Sequence, residues 1–104
     1  IRGIEVTDSK NVLIEGVTVV NPDHYTVFGG GTTGLTVKNL KAFSCKGWSD
    51  GIDLMCCRNV VVDNVFLRNS DDCIAIYNHR GTGGAVLPIS PFKTRCCGRT
   101  LLTR

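Results

Sequence analysis

Nowhere in this sequence of 104 residues does an apolar run approach the roughly 20 residues that a membrane span requires, so no transmembrane helix is predicted and no membrane partner is expected. Zinc-site spacing is missing as well. Of the six cysteines, Cys56-Cys57 and Cys96-Cys97 are adjacent and Cys45 and Cys73 isolated. None forms a C-x-x-C pair or stands at ligand distance from a histidine, so neither a metal nor a cofactor is expected. Cys56, Cys57 and Cys73, in or next to apolar strands, are expected to pack as small apolar side chains inside the fold, and no disulfide pairing can be read from the order of the cysteines. Gly29-Gly30-Gly31 lacks the lysine and hydroxyl residue of a phosphate-binding loop and precedes an extended segment, which predicts a turn there. Acidic residues stop at Asp72. Up to His79 seven Lys or Arg face nine Asp or Glu, a net of −2, whereas the stretch from Arg80 onward has five basic residues and no acidic one. The body carries no basic stripe, and nucleic acid is excluded as its partner.

What is present is a repeat. Asn11-Val12-Leu13-Ile14-Glu15-Gly16-Val17 aligns with Gly34-Leu35-Thr36-Val37-Lys38-Asn39-Leu40, and both align with Asn59-Val60-Val61-Val62-Asp63-Asn64-Val65; the offsets are 23 and 25 residues. A polar turn follows each run, at Asn21-Pro22-Asp23, at Ser44 to Ser49 and at Asn69-Ser70-Asp71. A second short apolar strand comes next, Tyr25 to Phe28, Gly51 to Met55 and Cys73 to Tyr77. Such a period, with Asn or Gly at the corners, predicts an all-β parallel β-helix of about four coils, each burying its apolar face on the next. A leucine-rich repeat would need Leu at several fixed places and a helical or tight-turn return, whereas these columns are Val and Ile and the return is strand-like. Ile14, Val37 and Val62 should stack inward, as should Val17, Leu40 and Val65. In this alignment His24, Asp50 and Asp72 share a column.

The chemistry lies between Ser49 and Tyr77. An aspartate in a turn ordinarily bonds its own backbone, and Asp8, Asp23 and Asp63 fit that reading. Asp50, Asp71 and Asp72 do not. Two adjacent aspartates with a third stacked on them one coil earlier put like charges together with no basic residue between, so one carboxyl should keep its proton near neutral pH. A protonated and an ionised carboxyl side by side are what glycoside hydrolysis uses, one for the leaving oxygen and one for the water.

Ser49-Asp50-Gly51-Ile52-Asp53 resembles the Asn-Thr-Asp-Gly-(Ile/Phe)-Asp motif of the polygalacturonases, glycoside hydrolase family 28. Asp71-Asp72-Cys73-Ile74-Ala75-Ile76 resembles that family's Asp-Asp-Cys-(Ile/Leu/Val)-Ala-Ile, in the same order and at a matching separation. The resemblance covers Asn11 to His79 as coils and Ser49 to Tyr77 as motif. It implies a right-handed parallel β-helix and inverting hydrolysis of a pectic polysaccharide, polygalacturonan or rhamnogalacturonan. Asp71 would be the general acid and Asp50 and Asp72 would activate water, with acid and base roughly 6.5 to 9.5 Å apart. From its place on the acidic column His24 is a candidate to line the substrate cleft, a surface-turn histidine being the competing reading, and Asp53 and His79 are further substrate-binding candidates. A secreted or periplasmic protein, monomeric at full length, is implied too. Two departures stand out: Trp48-Ser49 replaces Asn-Thr, and the family's Gly-His-Gly and Arg-Ile-Lys motifs are absent, so the chain as written is expected to be inactive or nearly so. The alternative is a β-helix without catalysis that binds polysaccharide or serves as a structural element.

Ile1-Arg2-Gly3-Ile4-Glu5-Val6 starts in the middle of an apolar strand with no initiator Met, signal peptide or cap, so residues 1–79 are expected to be an internal set of coils from a larger catalytic domain. Gly81 to Arg104 abandons the coil pattern and turns rich in Arg, Thr, Gly and Cys, as out-of-frame translation of a G/C-rich gene does. Read from the third base of the Phe92 codon, degeneracy permits QDAVLWADVAHP, which has the pattern of another coil. Residues 80–104 are therefore expected to form a basic tail, disordered or out of frame.

Overall fold

The computed structural model describes residues 2–77 and the backbone of residues 94–99. Its first coil consists of β1 (Ile4–Thr7), β2 (Lys10–Glu15) and β3 (Thr18–Val20), and its second of β4 (Val27–Gly30), β5 (Thr33–Lys38) and β6 (Lys41–Phe43). The third contains β7 (Ile52–Met55), β8 (Val61–Asp63) and β9 (Val65–Asp72), and β10 (Ile74–Tyr77) opens the next. Corresponding strands stack in parallel into three sheets, β1-β4-β7-β10, β2-β5-β8 and β3-β6-β9-β11, where β11 is Thr94–Arg99. Among the described residues the architecture is a parallel β-solenoid, as the repeat predicts, with three complete turns and the opening strand of the next where about four coils are expected.

Register follows the apolar columns. Ile14 pairs with Val37 and Val37 with Val62, and the three are 7%, 0% and 0% exposed. Leu40 and Val65 are buried in the same core, with Val17 packed against it. Alternation along the first sheet turns Ile4, Val27, Ile52 and Ile74 toward the core, along with Val6, Leu54 and Ile76. It turns the row Glu5, Phe28, Asp53 and Ala75 to the other face.

Corners are made by residues that tolerate a left-handed backbone. Asn11, Gly34 and Asn59, one above another, have φ of 55°, 76° and 52°. Gly16, Asn39 and Asn64 repeat the device at the next corner with 69°, 51° and 51°, and the Asn64 amide donates to Asn39 Oδ1 at 2.8 Å. Side chain and backbone thus choose the same fold.

Four details differ from the sequence reading. The level of Asp50 and Asp72 is occupied in the second coil by Tyr25, because the hydrogen bonds Thr26 N to Asp50 O and Gly51 N to Asp72 O fix the alignment; His24 falls level with Ser49 and Asp71. Asn69-Ser70-Asp71 is the end of strand β9, not a turn. Gly29 and Gly30 lie inside β4, where a Cβ on Gly29 would press Leu35, Leu54 and Cys57 at 3.1–3.2 Å, and Gly31 alone of the three turns, at φ 59°. Cys73 is disulfide-bonded and not a packed thiol, while Cys45, Cys56 and Cys57 are thiols. The tail expectation falls largely on residues 78–93 and 100–104, outside those described. The stretch Thr94–Arg99 adds to the third sheet by parallel pairing with β9, so it continues the solenoid.

Candidate active site

Asp50 stands just before β7 and Asp72 closes β9, on neighbouring coils whose backbones lie about 4.8 Å apart. Gly51 separates them from above. It donates its N–H to Asp72 O at 2.9 Å, and a Cβ there would run into the Cys73 carbonyl, so only glycine lets the two acidic turns come this close. Asp50 is 7% exposed and Asp72 0%, while Asp71, between Asp72 and Ser70, is the most accessible of the three.

The pair of turns is sewn together by hydroxyls. Ser49 Oγ lies 3.0 Å from Ser70 Oγ and accepts the Ser70 N–H at 3.2 Å; Ser70 Oγ in turn donates to the Lys46 carbonyl. Asn69 fixes the aspartate pair from behind, its amide donating to the carbonyls of Asp71 at 2.7 Å and Asp72 at 3.0 Å. Asn69 Oδ1 is buried and has no partner. Lys46 anchors the loop to the previous coil through Asp23 at 2.6 Å, and the lysine holds the Asp23 carboxyl below its ordinary range. Two residues before Asp50, Trp48 is 76% exposed and held at φ 60°.

Asp53, three residues after Asp50, is fully buried. Burial first, then the charge and side chain of Asp50, and finally the charge of Asp72, push its carboxyl up to about 8, with the Tyr77 hydroxyl opposing part of that shift. Asp53, which lies outside the trio of Asp50, Asp71 and Asp72 for which a retained proton is expected, is thus pushed toward its protonated form. As an ionised group it would hold both oxygens out of water, with the Tyr77 hydroxyl offsetting part of that loss. Protonated, it has an O–H to give to Asp50.

His24 lies beside the cluster and one coil earlier, edge-on to Tyr25 with ring centroids 4.0 Å apart. Its Nδ1 is buried without a partner, and it lines an open pocket with Arg2, Gly3 and Glu5. The Arg2 guanidinium sits 4.0 Å from the Phe28 ring centroid and pairs with Glu5 at 2.8 Å. His79 lies outside the described residues. Among those residues no three His, Cys, Asp or Glu converge in a metal-binding arrangement, and no helix is long and apolar enough to cross a membrane. Three members of this arrangement were hidden in the sequence: Ser49 and Ser70 as the stitch, and Asn69 as the clamp. An Asn two and three residues before the carbonyls it bonds was the available signal.

The family model of glycosyl hydrolases family 28 matches residues 2–96. A polygalacturonase from Chamaecyparis obtusa is 31% identical over 98 residues, covering 91% of this chain and 18% of the relative. The chain thus spans about a fifth of that protein's length. No solved structure matches.

Proposed function

The chain belongs to glycosyl hydrolases family 28, and from that premise we propose that it carries the catalytic coils of an enzyme that hydrolyses pectic polysaccharide, polygalacturonan or rhamnogalacturonan, with inversion. The observation that carries this reading is the stacking of Asp50 on Asp72 with Asp71 beside them on a braced strand end. Asp71, the most accessible of the three, protonates the leaving glycosidic oxygen. Asp50 and Asp72 activate the attacking water, Asp50 through the edge that stays open to solvent. Ser49, Ser70 and Asn69 hold the backbones of both acidic segments, so the carboxylates need not reorganise during the reaction. His24 on the preceding coil and Arg2 one coil further back supply polar and positive groups for a carboxylated sugar. A polymeric wall substrate fits an enzyme that works outside the cytoplasm, in the secreted or periplasmic space, and the full-length enzyme is proposed to act as a monomer.

In the full-length protein, Asp71→Asn keeps shape and removes the titrating proton. Turnover on polygalacturonate should fall by about 100-fold or more, the usual size of a lost general acid, with KM little changed. Undiminished turnover would remove Asp71 from the acid role.

A further inference from the structure

Asp53 is the buried carboxyl that the hydrolytic scheme leaves without a task. It occupies the outward row of the first sheet, level with Phe28 on β4 and Ala75 on β10, yet it is 0% exposed. A polysaccharide lying on that face cannot touch it. The groups around it are Asp50 from the preceding turn, Asp72 from the end of β9 and Tyr77 from β10. β4 presents the uncharged Phe28, beyond which lie Arg2 and Glu5. No cation is paired with Asp53 among the described residues. An ionised carboxylate in such a place would forfeit hydration on both oxygens and face like charges, an arrangement a fold does not sustain when a proton removes the conflict.

We propose that Asp53 is a positioning residue of the site: it stays protonated at neutral pH and donates its O–H to the Asp50 carboxylate, which keeps Asp50 ionised and fixes its orientation. This rests on the reading of Asp50 as a water-activating base, and it moves Asp53 from substrate contact to support beneath the catalytic layer. The hydrogen bond strengthens the charged form of Asp50 and opposes the repulsion from Asp72. Raising the pH until Asp53 ionises turns the donor into a third negative charge beside Asp50. Activity should then fall on the alkaline side, before any tyrosine titrates.

Two substitutions separate donor from shape. Asp53→Asn keeps a side-chain N–H that can serve Asp50 and carries no charge; Asp53→Leu fills similar space without a donor. In the full-length protein, Asp53→Asn should retain turnover within about threefold at neutral pH and lose the alkaline fall. Asp53→Leu should lose about 100-fold in kcat with KM little changed, the scale of a misaimed catalytic group. Equal losses in both variants would overturn the donor role. Carboxyl carbon NMR decides the protonation independently of activity: one aspartate should titrate near pH 8, and that signal should vanish in Asp53→Asn. Titration of Asp53 with the ordinary carboxylates near pH 4 would overturn the proposal. Should Asp71→Asn leave hydrolysis intact, the hydrolytic scheme fails while the NMR result still judges Asp53.

Discussion

Trp48 sits at φ 60°, a conformation that costs an ordinary L-residue about 1–2 kcal/mol and asparagine less, while 76% of its surface stays in solvent. Little packing is lost by replacing it. Trp48→Asn should therefore raise stability by about 1 kcal/mol, read as a higher urea midpoint at unchanged m-value. Asp53 has the opposite cost, tied to pH. Burial and the Asp50 charge push its folded carboxyl up to about 8, against about 3.9 in an unfolded chain, so between those values the folded state holds a proton that the unfolded state releases. The folded state is then favoured most below about pH 4, loses stability as pH rises, and levels off above about pH 8. Urea midpoints measured across this range should decline in the wild type and run flatter in Asp53→Asn; parallel curves would contradict the buried-proton account. Asp50, Asp71 and Asp72 were legible as a cluster from spacing alone. The upward push on the Asp53 carboxyl was not, because it depends on which neighbours enclose that side chain.

Strands carry the next level of explanation. The two apolar columns, Ile14-Val37-Val62 and Val17-Leu40-Val65, made the solenoid readable, since a strand turns alternate residues inward and a stacked coil repeats the same choice. The column through the acids was misread by one residue for a concrete reason. Successive first-sheet strands are separated by 23, 25 and 22 residues, as Ile4, Val27, Ile52 and Ile74 show, and the loop from Ser44 to Asp50 absorbs the added length. The extent of β9 was missed because Asn69, Ser70 and Asp71 are turn-forming types; here Ser70 bonds across coils to Ser49, and Asn69 bonds the Asp71 and Asp72 carbonyls within the strand end. Gly51 tests that close approach. Gly51→Ala would wedge a methyl against the Cys73 carbonyl, between the two acidic turns, and should cost about 1–3 kcal/mol as an overpacked site. Turnover should fall further than the stability loss alone accounts for, and a variant that folds with normal stability and activity would deny the glycine its spacing role.

At the scale of the molecule, β1, β2 and β3 stand at one end of their sheets among the described strands, with Leu13 and Val20 at 60% and 65% exposure. Open parallel edges invite pairing with another chain. The 104-residue protein should associate as its concentration rises, and Val12→Lys on β2 should reduce that association in sedimentation runs; a concentration-independent monomer would contradict it. The account as a whole stands on one chemical claim, that Asp50, Asp71 and Asp72 together direct water to a glycosidic carbon from the face opposite the leaving group. Proton NMR of the first products released from polygalacturonate by the full-length protein tests it most directly. The account predicts that the new reducing ends appear with inverted anomeric configuration and equilibrate afterwards; retained configuration in the first products would contradict it.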